Sequence, residues 1–102
     1  MKLFFREFGQ KNQPKLYIFH GLCGSSRNWH SVSEALEQKG YSLTLLDSRD
    51  HGQSPWSDSL NYRVLSEDFL EHLRIHPDPT PYGIIGHSMG GKLAMSLATH
   101  SL

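Results

Sequence analysis

The sequence holds a single cysteine, Cys23, among 102 residues. That excludes an internal disulfide and fits a reducing compartment. Charge of one sign is missing too: ten Lys and Arg balance ten Asp and Glu. Without a net field or a long block of like charge, the chain has nothing to gather nucleic acid or an anionic membrane. No stretch approaches the ~18 apolar residues that a membrane span needs. The start, MKLFFREFGQ, offers only Leu3, Phe4 and Phe5 before Arg6 and Glu7 intervene. That is too short for a signal-peptide core, so a cytoplasmic location is expected. Internal repeats, low-complexity tracts and interdomain linkers are lacking as well. With 37% hydrophobic and 20% charged residues, residues 1–102 are expected to form one small globular domain.

What is present alternates. Three short apolar runs, LYIF (16–19), SLTLL (42–46) and YGII (82–85), have the length and composition of strands. KLFFREF (2–8) is a weaker candidate for an edge strand. Between them lie helical spacings. Trp29, Val32, Ala35 and Leu36 predict one buried face of a helix ending at Gly40, which suits the left-handed position after a helix. Tyr62, Leu65, Phe69 and Leu73 predict a second helix, with Asn61 as its N-cap and Pro77 closing it. Met89, Leu93 and Leu97 predict a third, and Ala94 and Ala98 permit close packing. PDPTP (77–81) is a stiff connection. Strands alternating with helices indicate a parallel α/β sheet with right-handed crossovers.

In such a sheet ligands gather beyond the carboxyl ends of the strands, and the three polar signatures sit there: HGLCGS, DSRDHGQS and GHSMGG. Gly-x-Ser-x-Gly at a strand-to-helix junction is the nucleophile elbow, in which Ser88 takes strained backbone angles. Gly86 and Gly90 keep side chains out of the turn, and the helix N-terminus favours developing negative charge. A tetrahedral intermediate needs two convergent N–H donors, and losing one costs ~3 kcal/mol of barrier. Met89 is expected to supply one and the loop after the first strand the other, Leu22 in preference to Cys23. Cys23 itself reads as a small packed residue.

HGLCGSSRNW, LDSRDHGQSP and GHSMGGKLAM together resemble the short-chain acyl-ester and acyl-thioester hydrolases of the α/β-hydrolase superfamily. Asp50 stands where those relatives usually have asparagine. The resemblance implies Ser88 as the acylated nucleophile, Leu22 and Met89 as oxyanion donors, and His20 and Gly21 as shapers of the oxyanion loop. It gives the stretch from Asp47 to Ser54 mainly structural roles. It also implies a small acyl-ester or thioester substrate, with no cofactor, metal, nucleic acid or membrane. The family orders its triad as Ser, then acid, then His, and the acid and base lie on later strands. The chain therefore reads as the N-terminal half of the fold, lacking triad acid, base and cap. It is expected to be without useful turnover alone and to need a complementary C-terminal segment. A noncatalytic relic or interaction module retaining half the fold is the alternative.

The histidines present do not fill the gap. His100 lies ~18 Å along the helix from Ser88, whereas direct proton transfer needs ~3 Å. His87 should point away from the hydroxyl, and His20 and His51 suit strand-end packing or loop hydrogen bonding. His72 and His76, four apart in HLRIH, lack the glutamate of HExxH and read as a solvated helix end. GxGxxG and GxxxxGK[ST] are both absent, which disfavours nucleotide binding.

Overall fold

The computed structural model describes residues 1–22 and 24–100, with His100 by its backbone. Strand β1 spans Phe5–Phe8 and β2 spans Lys15–Phe19. A 3-10 turn, Ser26–Trp29, leads into α1, His30–Gln38. Next come β3, Ser42–Leu46; α2, Tyr62–Ile75; β4, Tyr82–Gly86; and α3, Met89–His100. The sheet order is β1-β3-β2-β4. Strands β3 and β4 run parallel to β2, with Phe19 opposite both Leu46 and Gly86, while β1 pairs antiparallel with β3. The result is a mostly parallel α/β sheet whose weaker first strand takes the expected edge.

Period-two alternation sends side chains to both faces. Tyr17, Phe19 and Leu46 face Leu65 and Phe69 of α2 and Met89, Leu93 and Leu97 of α3. Ile18, Leu43 and Leu45 face the other way, toward Trp29 and Leu36. Helices thus cover both faces, and the carboxyl ends of β2, β3 and β4 share one rim.

Local chemistry sets the helix ends. Asn61 Oδ1 accepts from the Val64 amide at 2.9 Å, capping α2 as expected. After α1, Gly40 takes φ +95, its amide donates to Glu37 O, and the Tyr41 amide donates to Leu36 O. This is a Schellman motif, closed by Leu36 and Tyr41 packing on the same cluster. The α1 face differs from the expectation. Val32 and Ala35 are exposed, and the buried position is Ser33, whose Oγ donates to Trp29 O at 2.7 Å. The 3-10 turn changes the phase before α1 begins, so the face on the sheet runs through residues 29, 33 and 36. Among the described residues, no helix is long and apolar enough to cross a membrane.

Candidate active site

The chain turns sharply where β4 meets α3. Ser88 sits at the corner with φ +55, the left-handed region that costs a non-glycine residue about 1–3 kcal/mol. A Cβ on Gly86 would fall 2.3 Å from Gly90 O, and one on Gly90 would fall 2.2 Å from Phe19 O. Only glycines allow so close an approach. The corner is tied to the end of β2 by the His87 amide, which donates to Phe19 O at 3.2 Å. Gly90 and Lys92 amides donate to His87 O and Ser88 O, at 2.9 and 3.0 Å. Met89 is the first residue of α3, so its amide belongs to the turn of N–H groups without intrahelical acceptors.

The loop after β2 lies against this corner. A Cβ built on Gly21 would stand 3.4 Å from Ser88 Cβ and 2.9 Å from His87 Nδ1. Leu22 is 61% exposed and borders, with Ser88 and Met89, a cleft of about 300 Å³. Leu60, Tyr62 and Lys92 form its remaining wall with Asn61 and Leu65. His87 opens into a different cavity, beside Trp29 and Asn28. The sequence had placed Tyr62 on the core stripe of α2; it lines the cleft instead, because the Asn61 cap starts the helix at the rim. Cys23, both as a weaker oxyanion donor and as a packed side chain, lies outside the described residues.

The polar rim is built from paired groups. His20 is buried and accepts the Ser48 amide on Nε2 at 3.0 Å. Its proton therefore sits on Nδ1 and is donated to Gly21 O at 2.7 Å. Burial lowers its pKa, against the pull of the Gly21 hydrogen bond, so the ring is a neutral strut with both nitrogens occupied. His51 is likewise engaged, Nδ1 to Arg49 O at 2.8 Å. Asp47 accepts the Ser26 amide at 2.6 Å and the Gln53 amide at 2.9 Å, joining two loops. Asp50 takes φ +65 and accepts from the Ser57 amide and hydroxyl, so a left-handed turn accommodates aspartate here. The Asp47–Ser54 stretch thus has the structural character expected of it.

Two features of α2 escaped the sequence. Asp68, 1% exposed, receives Arg49 from the rim loop. His72, read as part of a solvated helix end, is buried against Phe5 and Tyr17, and only His76 is exposed. In each case the partner is distant in sequence, so spacing along α2 carried no signal. Among the described residues no group of three or more His, Cys, Asp or Glu is placed to hold a metal.

The family described as alpha/beta hydrolase fold matches residues 14–100. The chain belongs to the α/β-hydrolase family. Relatives of this α/β-hydrolase chain include a "Probable alcohol acetyltransferase" of Saccharomyces cerevisiae, 47% identical over 90 residues, with 85% of this chain and 26% of the relative covered. The "sn-1-specific diacylglycerol lipase ABHD11" of Mus musculus is 40% identical over 91 residues, covering 88% of this chain and 29% of the relative. Among solved structures, "Marine microorganism esterase" superposes with TM-score 0.86 at 40% identity, covering 98% of this chain and 38% of that one. The α/β-hydrolase chain thus spans less than a third of the length of these two curated relatives.

Proposed function

We propose that this chain carries the nucleophile and oxyanion half of a serine hydrolase acting on carboxyl esters or acyl thioesters. Ser88 Oγ attacks the acyl carbonyl carbon, and the oxyanion is received by the Met89 and Leu22 amides. The alcohol or thiol departs, and water then attacks the acyl-serine to release the acid. The same intermediate can pass its acyl group to an alcohol, which would suit the acetyltransferase named among the relatives. The observation carrying the reading is the left-handed Ser88 corner opening onto one cleft with Leu22 and Met89.

A base is the missing part. No imidazole among the described residues lines that cleft, and α3 runs unbroken, setting residue 100 about 18 Å along its axis from Ser88. Serine without its base loses orders of magnitude in rate. The base and its acid are therefore assigned to a complementary segment, and the 102 residues alone are without useful turnover. The flank of β4 supports that partner. β4 pairs only with β2 among the described residues, and Tyr82, Met95 and Leu70 are exposed beside it. The same apolar flank favours the second reading, a noncatalytic module that docks through it.

The test uses a fluorophosphonate probe and a p-nitrophenyl acetate series on the purified chain. Labelling at Ser88, absent in Ser88→Ala, supports the hydrolase reading. Labelling that persists unchanged in Ser88→Ala overturns it in favour of the docking module. Ser88-dependent multiple turnover would refute the assignment of the base to another segment.

A further inference from the structure

A second cavity, about 610 Å³, lies at the end of the sheet opposite Ser88, under the last turn of α2. It is bordered by the first residues of β2 and β3 and by His72 and His76. His72 is the unusual member. It is 6% exposed, with the Phe5 and Tyr17 rings 4.9 and 6.3 Å from its own. Its ring makes no hydrogen bond with the described residues, yet no buried side-chain nitrogen or oxygen among them lacks a partner. Its ring nitrogens are therefore not sealed from solvent, and His72 borders this cavity.

One turn further on, the His76 ring lies 4.8 Å from that of His72, with 37° between the planes. It too makes no hydrogen bond or ion pair with the described residues. Two imidazoles sharing one cation through bonds of about 2.0–2.1 Å have centres roughly 5 Å apart, so the pair already stands at chelating separation. We infer that His72 and His76 form a two-histidine chelate for a divalent transition metal of the zinc, copper or nickel group, open to water on the cavity side.

The ligand chemistry agrees. Imidazole suits these metals, and metal ligands must be unprotonated. Burial, with His76 and Lys15 adding to it, lowers the His72 pKa to about 4, so at neutral pH no proton has to be displaced from it. Lys11 and Lys15 face the cavity together with Glu7 and Asp78, so its lining carries no net charge, although Lys15 is the charge felt at His72. With only two protein ligands the site is open and exchangeable, unlike the closed four-ligand zinc centres that hold folds together.

The test is titration of the purified full chain with zinc chloride by calorimetry and with copper(II) by electron paramagnetic resonance. One saturable equivalent is expected, with nitrogen couplings from two imidazoles at copper. Losing even an outer partner of a metal ligand costs about 10–100-fold in affinity, so His76→Gln should weaken binding at least tenfold. His76 is exposed, but its ring also rests edge-on against Phe5 at 4.8 Å, so the urea midpoint of this variant is read beside its affinity. His72→Leu keeps the site apolar and should lose as much; if it fails to fold, His76→Gln decides alone. His30→Gln removes the imidazole of an i,i+4 histidine–glutamate pair, His30–Glu34, and should change nothing. Wild-type affinity in His76→Gln, or no saturable binding at all, would overturn the assignment. None of these readings depends on Ser88.

Discussion

Arg49 holds Asp68 with two parallel hydrogen bonds, Nε to Oδ2 at 2.7 Å and Nη2 to Oδ1 at 2.8 Å. The pair joins the rim loop to the middle of α2, across nineteen positions of chain. Removing Arg49 leaves the buried Asp68 carboxylate with the Met1 ammonium, 3.6 Å away, as its remaining counter-charge, so the loss is at most about 3–5 kcal/mol. Arg49→Met should therefore lower the urea midpoint sharply. Arg49→Met combined with Asp68→Leu should recover part of that loss, because the orphaned carboxylate is gone. A double variant no more stable than Arg49→Met would show that the ion pair is not the source of the effect.

The close approach at Gly90 predicts a different failure. An alanine Cβ there would lie 2.2 Å from Phe19 O, a backbone atom that cannot swing aside. Gly90→Ala should push α3 off the end of β2, with loss of both cooperative unfolding and probe labelling at Ser88. Gly40→Ala places its Cβ in open space and is strained only through its φ of +95. It should cost about 1 kcal/mol while labelling persists. Equal loss of labelling in the two variants would contradict the steric account.

Ser88 is held where glycine would be at ease. Ser88→Gly relieves the left-handed strain but adds unfolded-chain entropy, so stability should rise by no more than about 1 kcal/mol. Labelling should vanish. Urea titrations beside Ser88→Ala check this: a Ser88→Gly variant less stable than Ser88→Ala would show that the corner is not strained.

Acid should destabilise the chain before its carboxylates titrate. Burial lowers the pKa of His20, and that of His72 to about 4. Both rings are neutral when folded and accept protons more readily when unfolded. Their contribution is complete above about 6.5, the ordinary histidine value, and is lost as pH falls toward the folded values. Each ring adds a limiting slope of about 1.4 kcal/mol per pH unit. Unfolding with a chelator present, at pH 7.5 and 5, should show the decline, and His72→Leu should reduce it. A slope unchanged in that variant would remove His72 from the account.

The order of elements was legible because it rests on local signals. Asn61 caps, Gly40 closes a helix, and Met89, Leu93 and Leu97 mark one buried stripe. The serine corner was legible for the same reason, since its glycines are neighbours in sequence. The α1 face was not, because the turn ahead of it shifts the phase and Ser33 satisfies its hydroxyl on Trp29 O. Nor could spacing reveal Asp68, His72 or Asp47 as buried, since their partners come from other elements. Polar burial is a property of pairs, and the pairs form only when the sheet assembles.

The position of β4 at one margin of the sheet reaches beyond stability. The strand that leads into the Ser88 corner pairs in the sheet with β2 alone among the described residues. Any polypeptide that zips along Tyr82–Gly86 would stiffen the platform beneath Ser88, the proposed nucleophile. On that proposal, the speed with which its hydroxyl captures an electrophile would gauge whether a partner strand is in place.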